Sequence, residues 1–188
     1  PDNFSPLLGV EDDQTNRSRR SIALLERANA DGKLTDDELW KIKYDTGYEK
    51  AGYAKNWLDR IAGLDLKSSA KLLKAQQLLG QWDWNLDGKG RADALALMVL
   101  RPANKSHYNR GKMLEETVDH LTKYFGKIDP PMMNVLRMRQ GEVDLPVDGG
   151  NDTIRASTLW DADDDGRLSV RHGDSFIMFI EWARDGKV

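Results

Sequence analysis

The chain has 188 residues, and its 28 basic and 31 acidic residues leave a formal net charge of −3. This near balance does not indicate nucleic acid or a membrane surface as a partner. The chain contains no cysteine, which excludes disulfides, thiol catalysis and cysteine-based zinc sites. No segment approaches the roughly 18 apolar residues of a membrane span.

The sequence pattern over residues 15–140 predicts a series of helices. Thr15 or Asn16 can cap a helix that runs to about Ala30. Thr35 and Glu38 have the spacing of a capping box, in which each side chain accepts a hydrogen bond from the other residue's backbone amide, so a second helix is predicted there. The spacing of apolar residues predicts five further helices, at about 48–63, 68–81, 92–100, 110–125 and 132–139.

After residue 140 the pattern changes to extended segments and turns. Two short strands are predicted on either side of an acidic turn, at 153–159 and 167–170. The five consecutive apolar residues 176–180 predict a strand, from Ser175 to Trp182, that is buried on both faces. Because the helices before it offer few neighbouring strands, we expect the rest of its sheet to lie outside this chain.

The predicted fold class is therefore mainly α with a C-terminal β segment. It comprises a loop over residues 1–14, a helical lobe over 15–140, and an extended segment with a β-hairpin over 141–188. The chain begins at Pro1 without an initiator methionine or a signal peptide, as expected of a processed or truncated protein. With the buried strand, this predicts a piece of a larger protein.

The acidic turn is the strongest metal-binding pattern in the chain. Asp161, Asp163, Asp165 and Gly166 match the first positions of an EF-hand loop, in which alternate carboxylates converge on calcium. Position twelve should be glutamate but is His172, and the flanking residues predict strands instead of helices. A structural calcium bound by the three aspartates is thus one hypothesis, and an acidic hairpin turn is the more ordinary one.

Other chemically distinctive residues have ordinary interpretations. His107, His120 and His172 show no metal-binding spacing, so each is predicted to lie on the surface or to form a local hydrogen bond. Ser175 lacks the Gly-x-Ser-x-Gly pattern of a nucleophile elbow. Tryptophans on the apolar faces of helices are predicted to pack in the core, and these are Trp40, Trp57 and Trp82.

Several segments resemble the penicillin acylase family, and the acyl-homoserine lactone and aculeacin acylases in particular. In chain order these segments are 16–25, 34–40, 79–84 with 90–94, 136–150 and 171–178. The resemblance implies the αββα fold of the N-terminal nucleophile hydrolases. In that family a precursor cleaves itself, and the serine exposed at the start of the β-subunit attacks an amide carbonyl with its own α-amino group as base. Backbone amide and asparagine donors stabilise the oxyanion.

No segment of this chain matches the nucleophile, the histidine close behind it or the oxyanion asparagine, and Pro1 cannot serve as the nucleophile. The resemblance therefore implies the C-terminal part of a β-subunit, which is inactive alone. Its partners would be the remainder of that β-subunit, the α-subunit and a small-molecule acyl amide. No cofactor would be required, and a structural calcium is one possibility. A periplasmic or secreted bacterial protein is expected, which fits the absence of cysteine.

One functional position carries over from the family by resemblance. Arg17 matches an active-site arginine that supports the oxyanion asparagine, and the five donors of a guanidinium suit the orientation of a neighbouring amide. The alternative is that Arg17 serves the first helical turn or a surface ion pair. Two non-enzymatic hypotheses also stay open for the whole chain: a calcium-responsive helical module, and a helical interaction domain with an unpaired edge strand.

Overall fold

The computed structural model describes residues 14–101, 109–158, 161–173 and 177–181. These residues combine helices with small sheets of few strands, in agreement with the predicted α-rich chain with a β segment. The predictions for residues 1–13, His107, Ser175 and Trp182 lie outside the described residues. No described helix is both long and apolar enough to cross a membrane.

The helices of the described residues begin where local capping chemistry allows. Thr15, Ser69 and Asn109 each accept a hydrogen bond from a backbone amide three residues ahead, and Thr35 and Glu38 form the predicted capping box. The helices are α1 (Asn16–Ala28), α2 (Asp36–Lys43), α3 (Tyr53–Ala62), α4 (Ala70–Gly80), α5 (Asp93–Leu100), α6 (Arg110–Phe125) and α7 (Met132–Val135).

The hydrophobic core is built around α5, of which every residue is buried. Apart from Asp93 at its first position, α5 is apolar on all sides, the pattern of a helix that protein surrounds. It contacts α4, α6 and α7, while α3 packs on α4 and α6. The buried side chains of Leu136 and Leu168 continue this core toward the first sheet.

Six short strands are described: β1 (Leu136–Gln140), β2 (Val143–Pro146), β3 (Ser157–Thr158), β4 (Asp161–Ala162), β5 (Leu168–Ser169) and β6 (His172–Gly173). Four form a sheet in the order β2-β1-β5-β4, in which β1 and β5 run parallel, and β3 pairs with β6. The helix predicted over 132–139 is wrong beyond Val135, because Leu136 pairs with Leu168 and the next four residues pair with β2.

Of the strand predicted from Ser175 to Trp182, residues 177–181 are described; its burial between strands from outside this chain stays a prediction. These residues belong to no strand, and the side chains of Met178 and Ile180 are 62% and 44% exposed. Because no described strand pairs with this segment, its apolar side chains are not covered on both faces. Phe179 stacks on Trp40 of α2, with the ring centroids 4.1 Å apart.

The helices α1 and α2 stand apart from the core. Asn16 is the only buried residue in α1, and α2 has none. Trp40 is 45% exposed, so its predicted place in the core is wrong, whereas Trp57 and Trp82 are buried as predicted. Phe179 stacks on Trp40 of α2, but among the described residues the apolar face of α2 stays largely exposed. Apolar side chains of these helices that stay exposed are Ile22, Leu25, Leu39 and Trp40.

Candidate functional site

The candidate site lies where the first turn of α1 meets the 149–153 turn. The Asp152 carboxylate accepts hydrogen bonds from the backbone amides of Asn16, at 2.6 Å, and Arg17, at 3.2 Å. A negative charge is favourable at a helix N-terminus, because the unpaired amides and the helix dipole are both positive there. Asp152 therefore fixes the start of α1 from a position 136 residues further along the chain.

Asn16 holds three segments together through its buried side chain. Its Nδ2 donates to the carbonyls of Gly47, at 3.2 Å, and Asp152, at 2.8 Å. Its Oδ1 accepts from the amide of Glu49 at 2.8 Å. The sequence suggested Asn16 only as a helix cap, and no local pattern could have revealed partners so distant in the chain. Asn16 thereby sets the position of the neighbouring Arg17.

Arg17 is exposed and lines a cleft of about 230 Å³ together with Thr15, Asn151 and Asp152. Its Nε donates to the carbonyl of Thr153 at 3.1 Å. Among the described residues, the two terminal guanidinium nitrogens have no hydrogen-bond or ion-pair partner, so Arg17 forms no surface ion pair there. The anchored Nε and the open terminal nitrogens leave a donor pair available to an acceptor from elsewhere.

Two glycines allow the 149–153 turn to fit this position. A Cβ on Gly149, where φ is +77°, would lie 2.0 Å from the Arg155 carbonyl oxygen, and one on Gly150 would lie 2.5 Å from Leu86. The hydroxyl of Thr153, which is buried, accepts from the Gly150 amide at 2.9 Å. The turn is thus held by close backbone approach as well as by hydrogen bonds.

Tyr48 supports the same turn from beneath. Its hydroxyl donates to the carbonyl of Asn151. Burial raises the pKa of Tyr48 well above its ordinary value, and burial likewise raises the pKa of Tyr53, whose ring packs edge-on at 6.4 Å. Both phenols therefore stay protonated at physiological pH and act as neutral structural groups, which leaves no general base among them.

A cluster of charged residues, Arg20, Asp45 and Glu49, links α1 to the 45–49 segment. Arg20 binds Asp45 through two hydrogen bonds, Nε to Oδ1 at 2.8 Å and Nη2 to Oδ2 at 2.9 Å, and its Nη1 donates to Glu49 at 2.8 Å. The hydrogen bond to Asp45 is the largest contribution that raises the pKa of Arg20. Bidentate geometry makes this pair stronger and more directional than a single contact.

The predicted calcium ligands are placed differently from an EF-hand. The turn joins β4 and β5 as an antiparallel hairpin, which matches the ordinary interpretation. Nη1 of Arg139 lies 2.8 Å from Asp163, and its Nη2 lies 2.8 Å from Asp165 and 3.1 Å from Asp144. An arginine thus stands where a cation would be expected.

The charges of this turn follow from that arrangement. The Arg139 guanidinium holds the pKa of Asp165 below its usual range. The pKa of Asp163 is also lowered, first by the hydroxyl of Ser169 at 2.6 Å and then by Arg139. The Asp161 side chain lies outside the described residues. Among the described residues, no group of three histidine, cysteine, aspartate or glutamate side chains could hold a metal ion. Calcium binding by this turn stays a prediction.

The described histidines contribute no catalytic geometry. The Nε2 of His120 lies 2.7 Å from the carbonyl oxygen of Gly166, so this histidine links α6 to the acidic turn, as the predicted local hydrogen bond requires. His172 is exposed in β6. Neither lies in the cleft lined by Arg17.

A scan against protein-family models finds no match to the chain, and a search of curated proteins finds no match either. The acylase resemblance therefore depends on the sequence segments themselves.

Proposed function

We propose that this chain is part of a serine-type N-terminal nucleophile acylase, which hydrolyses an amide bond to release an acyl chain. The substrate would be of the acyl-homoserine lactone, penicillin or lipopeptide type. The nucleophile would come from outside these residues, in the remainder of the β-subunit, and the α-subunit would complete the enzyme in the periplasm or outside the cell. The chain would contribute helical scaffold, strands of the central sheet and Arg17.

The observation that best supports this proposal is the environment of Arg17. Within segment 16–25, which carries the resemblance, Asn16 and Arg17 bind Asp152 and Thr153, just after the second such segment, 136–150. A supporting arginine needs an anchored side chain that still has donors to offer. Arg17 meets this need, since Thr153 fixes its Nε while the terminal nitrogens have no partner among the described residues.

The apolar surface of α1 and α2 supports the idea of an incomplete protein. The rings of Trp40 and Tyr44 stack 5.5 Å apart, and Phe179 continues the stack on Trp40. Trp40 and Tyr44 are 45% and 42% exposed. Exposed apolar groups that cluster in this way mark contact surfaces more often than solvated ones. In our proposal the remainder of the acylase covers this aromatic stack.

The proposal is tested with the coding sequence upstream of Pro1 and the complete product that it encodes. We expect a self-cleavage junction with an exposed serine, followed by a histidine and later an asparagine segment. The complete product should release acyl chains from an acyl-homoserine lactone or a penicillin. Arg17→Ala should lower kcat/KM by up to about 100-fold, the cost of misplacing a reacting group.

The matched control is Arg19→Ala, because Arg19 is also an exposed arginine on α1 but does not line the cleft of Arg17. Its kcat/KM should stay near the wild-type value. An initiator methionine or an unrelated domain directly upstream would overturn the proposal. If the two substitutions change kcat/KM equally, the active-site role of Arg17 is wrong. The family assignment would then be decided by the upstream sequence alone.

A helical interaction domain is the second candidate, and the same aromatic stack favours it. Such a domain would use Trp40, Tyr44 and Phe179 to bind another protein without any hydrolysis. The upstream sequence separates the two candidates, since only the acylase needs a precursor with a self-cleavage junction.

A further inference from the structure

The helix α2 carries its charged and apolar side chains in a fixed order. Its first turn is acidic and its last turn is basic, through Asp36, Asp37, Glu38, Lys41 and Lys43. Between these turns Leu39 and Trp40 are 36% and 45% exposed. The charges stabilise the helix itself, because the helix dipole favours acids at the N-terminus and bases at the C-terminus. Their order also determines what the exposed surface of α2 can bind.

One row of side chains along α2 combines both charges with the apolar centre. Asp36 and Lys43 are seven residues apart and therefore share one side of the helix. Leu39 and Trp40 lie between them on that side, at spacings of three and four residues. Asp36 is exposed and forms no ion pair with another described residue. The Nζ of Lys43 lies 6.0 Å from the centroid of the Tyr44 ring, beside the aromatic stack. The row thus runs from an acid through two apolar residues to a base.

This row is complementary to its own reversed copy. The centre of α2 falls between Leu39 and Trp40, since the helix runs from Asp36 to Lys43. A second α2 packed antiparallel across this centre would place each Asp36 beside the Lys43 of the other copy. The axes of packed helices lie about 8–10 Å apart, which is within reach of the long lysine side chain. A parallel pair would instead bring like charges together, so the charges select the antiparallel arrangement.

We propose that α2 binds a second copy of this chain through a two-fold, antiparallel contact between the two helices. Leu39 and the partly exposed ring of Trp40 form the apolar centre of this contact. The two Asp36–Lys43 pairs at its ends fix the register, which is the usual role of charges at the rim of an interface. A two-fold contact closes on itself, so the assembly stops at a dimer.

This inference rests on the second candidate function, the helical interaction domain, and names its partner. In a complete acylase the remainder of the enzyme would cover the same surface, and the dimer would be confined to the chain alone. The two ideas fail separately. A missing self-cleavage junction upstream would remove the acylase and leave the dimer, whereas a monomeric chain would remove the dimer and leave the acylase.

The test is sedimentation equilibrium of the 188-residue chain, in which we expect monomer and dimer but no larger species. Asp36→Lys replaces attraction by repulsion at both ends of the contact. Each exposed ion pair is worth a factor of about two to five, so the dissociation constant of the dimer should rise at least about tenfold. Glu115→Lys is the matched control, because Glu115 is an exposed acid on α6. It makes the same change of charge and should leave the dissociation constant unchanged.

A mixture of two variants tests the register. Lys43→Asp alone should weaken the dimer as Asp36→Lys does, because acids then meet at both ends. An equimolar mixture of these two variants should form a dimer again, since opposite charges meet in the mixed pair. A monomeric wild type, equal dissociation constants for Asp36→Lys and Glu115→Lys, or a mixture no tighter than its components would each overturn the proposal. If Lys43→Asp does not fold, the comparison of Asp36→Lys with Glu115→Lys still decides.

Discussion

Replacement of Asn16 should destabilise the chain more than the loss of any other single polar side chain near the candidate site. Asn16→Ala removes three hydrogen bonds to backbone groups of Gly47, Glu49 and Asp152. Asn16 is 4% exposed, so water does not readily replace the lost partner. At about 1 kcal/mol for each bond, the free energy of unfolding should fall by about 3 kcal/mol.

The measurement is urea unfolding followed by far-UV circular dichroism. With a typical slope of about 2 kcal/mol per molar urea, the midpoint should move down by about 1.5 M. Asn56→Ala is the matched control, because Asn56 is exposed on α3, and its effect should stay within about 0.5 kcal/mol. If Asn16→Ala and Asn56→Ala unfold at the same urea concentration, the role given to Asn16 is wrong.

Asn16→Asp sharpens this test because it keeps the shape of the side chain. The aspartate would place an oxygen where Nδ2 now donates to the carbonyls of Gly47 and Asp152. We expect it to be more destabilising than alanine at pH 7, since a charged acceptor would face two acceptors. The difference from alanine should shrink as the pH falls toward 4, when the introduced carboxyl takes up a proton. A variant as stable as wild type at pH 7 would contradict the hydrogen-bond assignment.

Three further predictions concern other parts of the molecule. Burial raises the pKa of Asp93 from 3.8 to about 6, so the folded state holds this proton more tightly than the unfolded state does. The free energy of unfolding should therefore fall by up to about 3 kcal/mol from pH 4 to 7. Asp93→Asn should remove this trend in urea titrations. Arg139→Met should lower the free energy of unfolding by about 1–2 kcal/mol. In this variant calcium should raise the melting temperature. A calcium response of the wild type that Asp163→Asn abolishes would contradict this prediction. The exposed stack of Trp40, Tyr44 and Phe179 should make the isolated chain self-associate, and Trp40→Gln should weaken this in sedimentation velocity. A wild type that stays monomeric at high concentration would count against it.

Sequence patterns predicted the features that depend on nearby residues. The capping box of Thr35 and Glu38 forms as expected, because both partners lie within one helical turn. The apolar run at 92–100 correctly predicted a helix, and the structure places that helix, α5, at the centre of the core, as suits an element without a polar face.

The errors arose where distant partners decide the structure. Leu136 leaves the helix because it pairs with Leu168, which is 32 residues further along the chain. Trp40 lies on an apolar helix face, but periodicity identifies only the face and not what covers it. The hydrogen bonds of Asn16 reach residues up to 136 positions away. The residues next to it in the sequence therefore do not predict its role in the candidate site.

The position of Arg139 between Asp144, Asp163 and Asp165 has a consequence for how this turn depends on its surroundings. A free metal ion leaves its site when its concentration falls or a chelator is present. A tethered guanidinium has a fixed effective concentration, because the chain itself carries it. The order that Arg139 gives to the acidic turn is therefore supplied at synthesis, and it can be lost through mutation or high ionic strength.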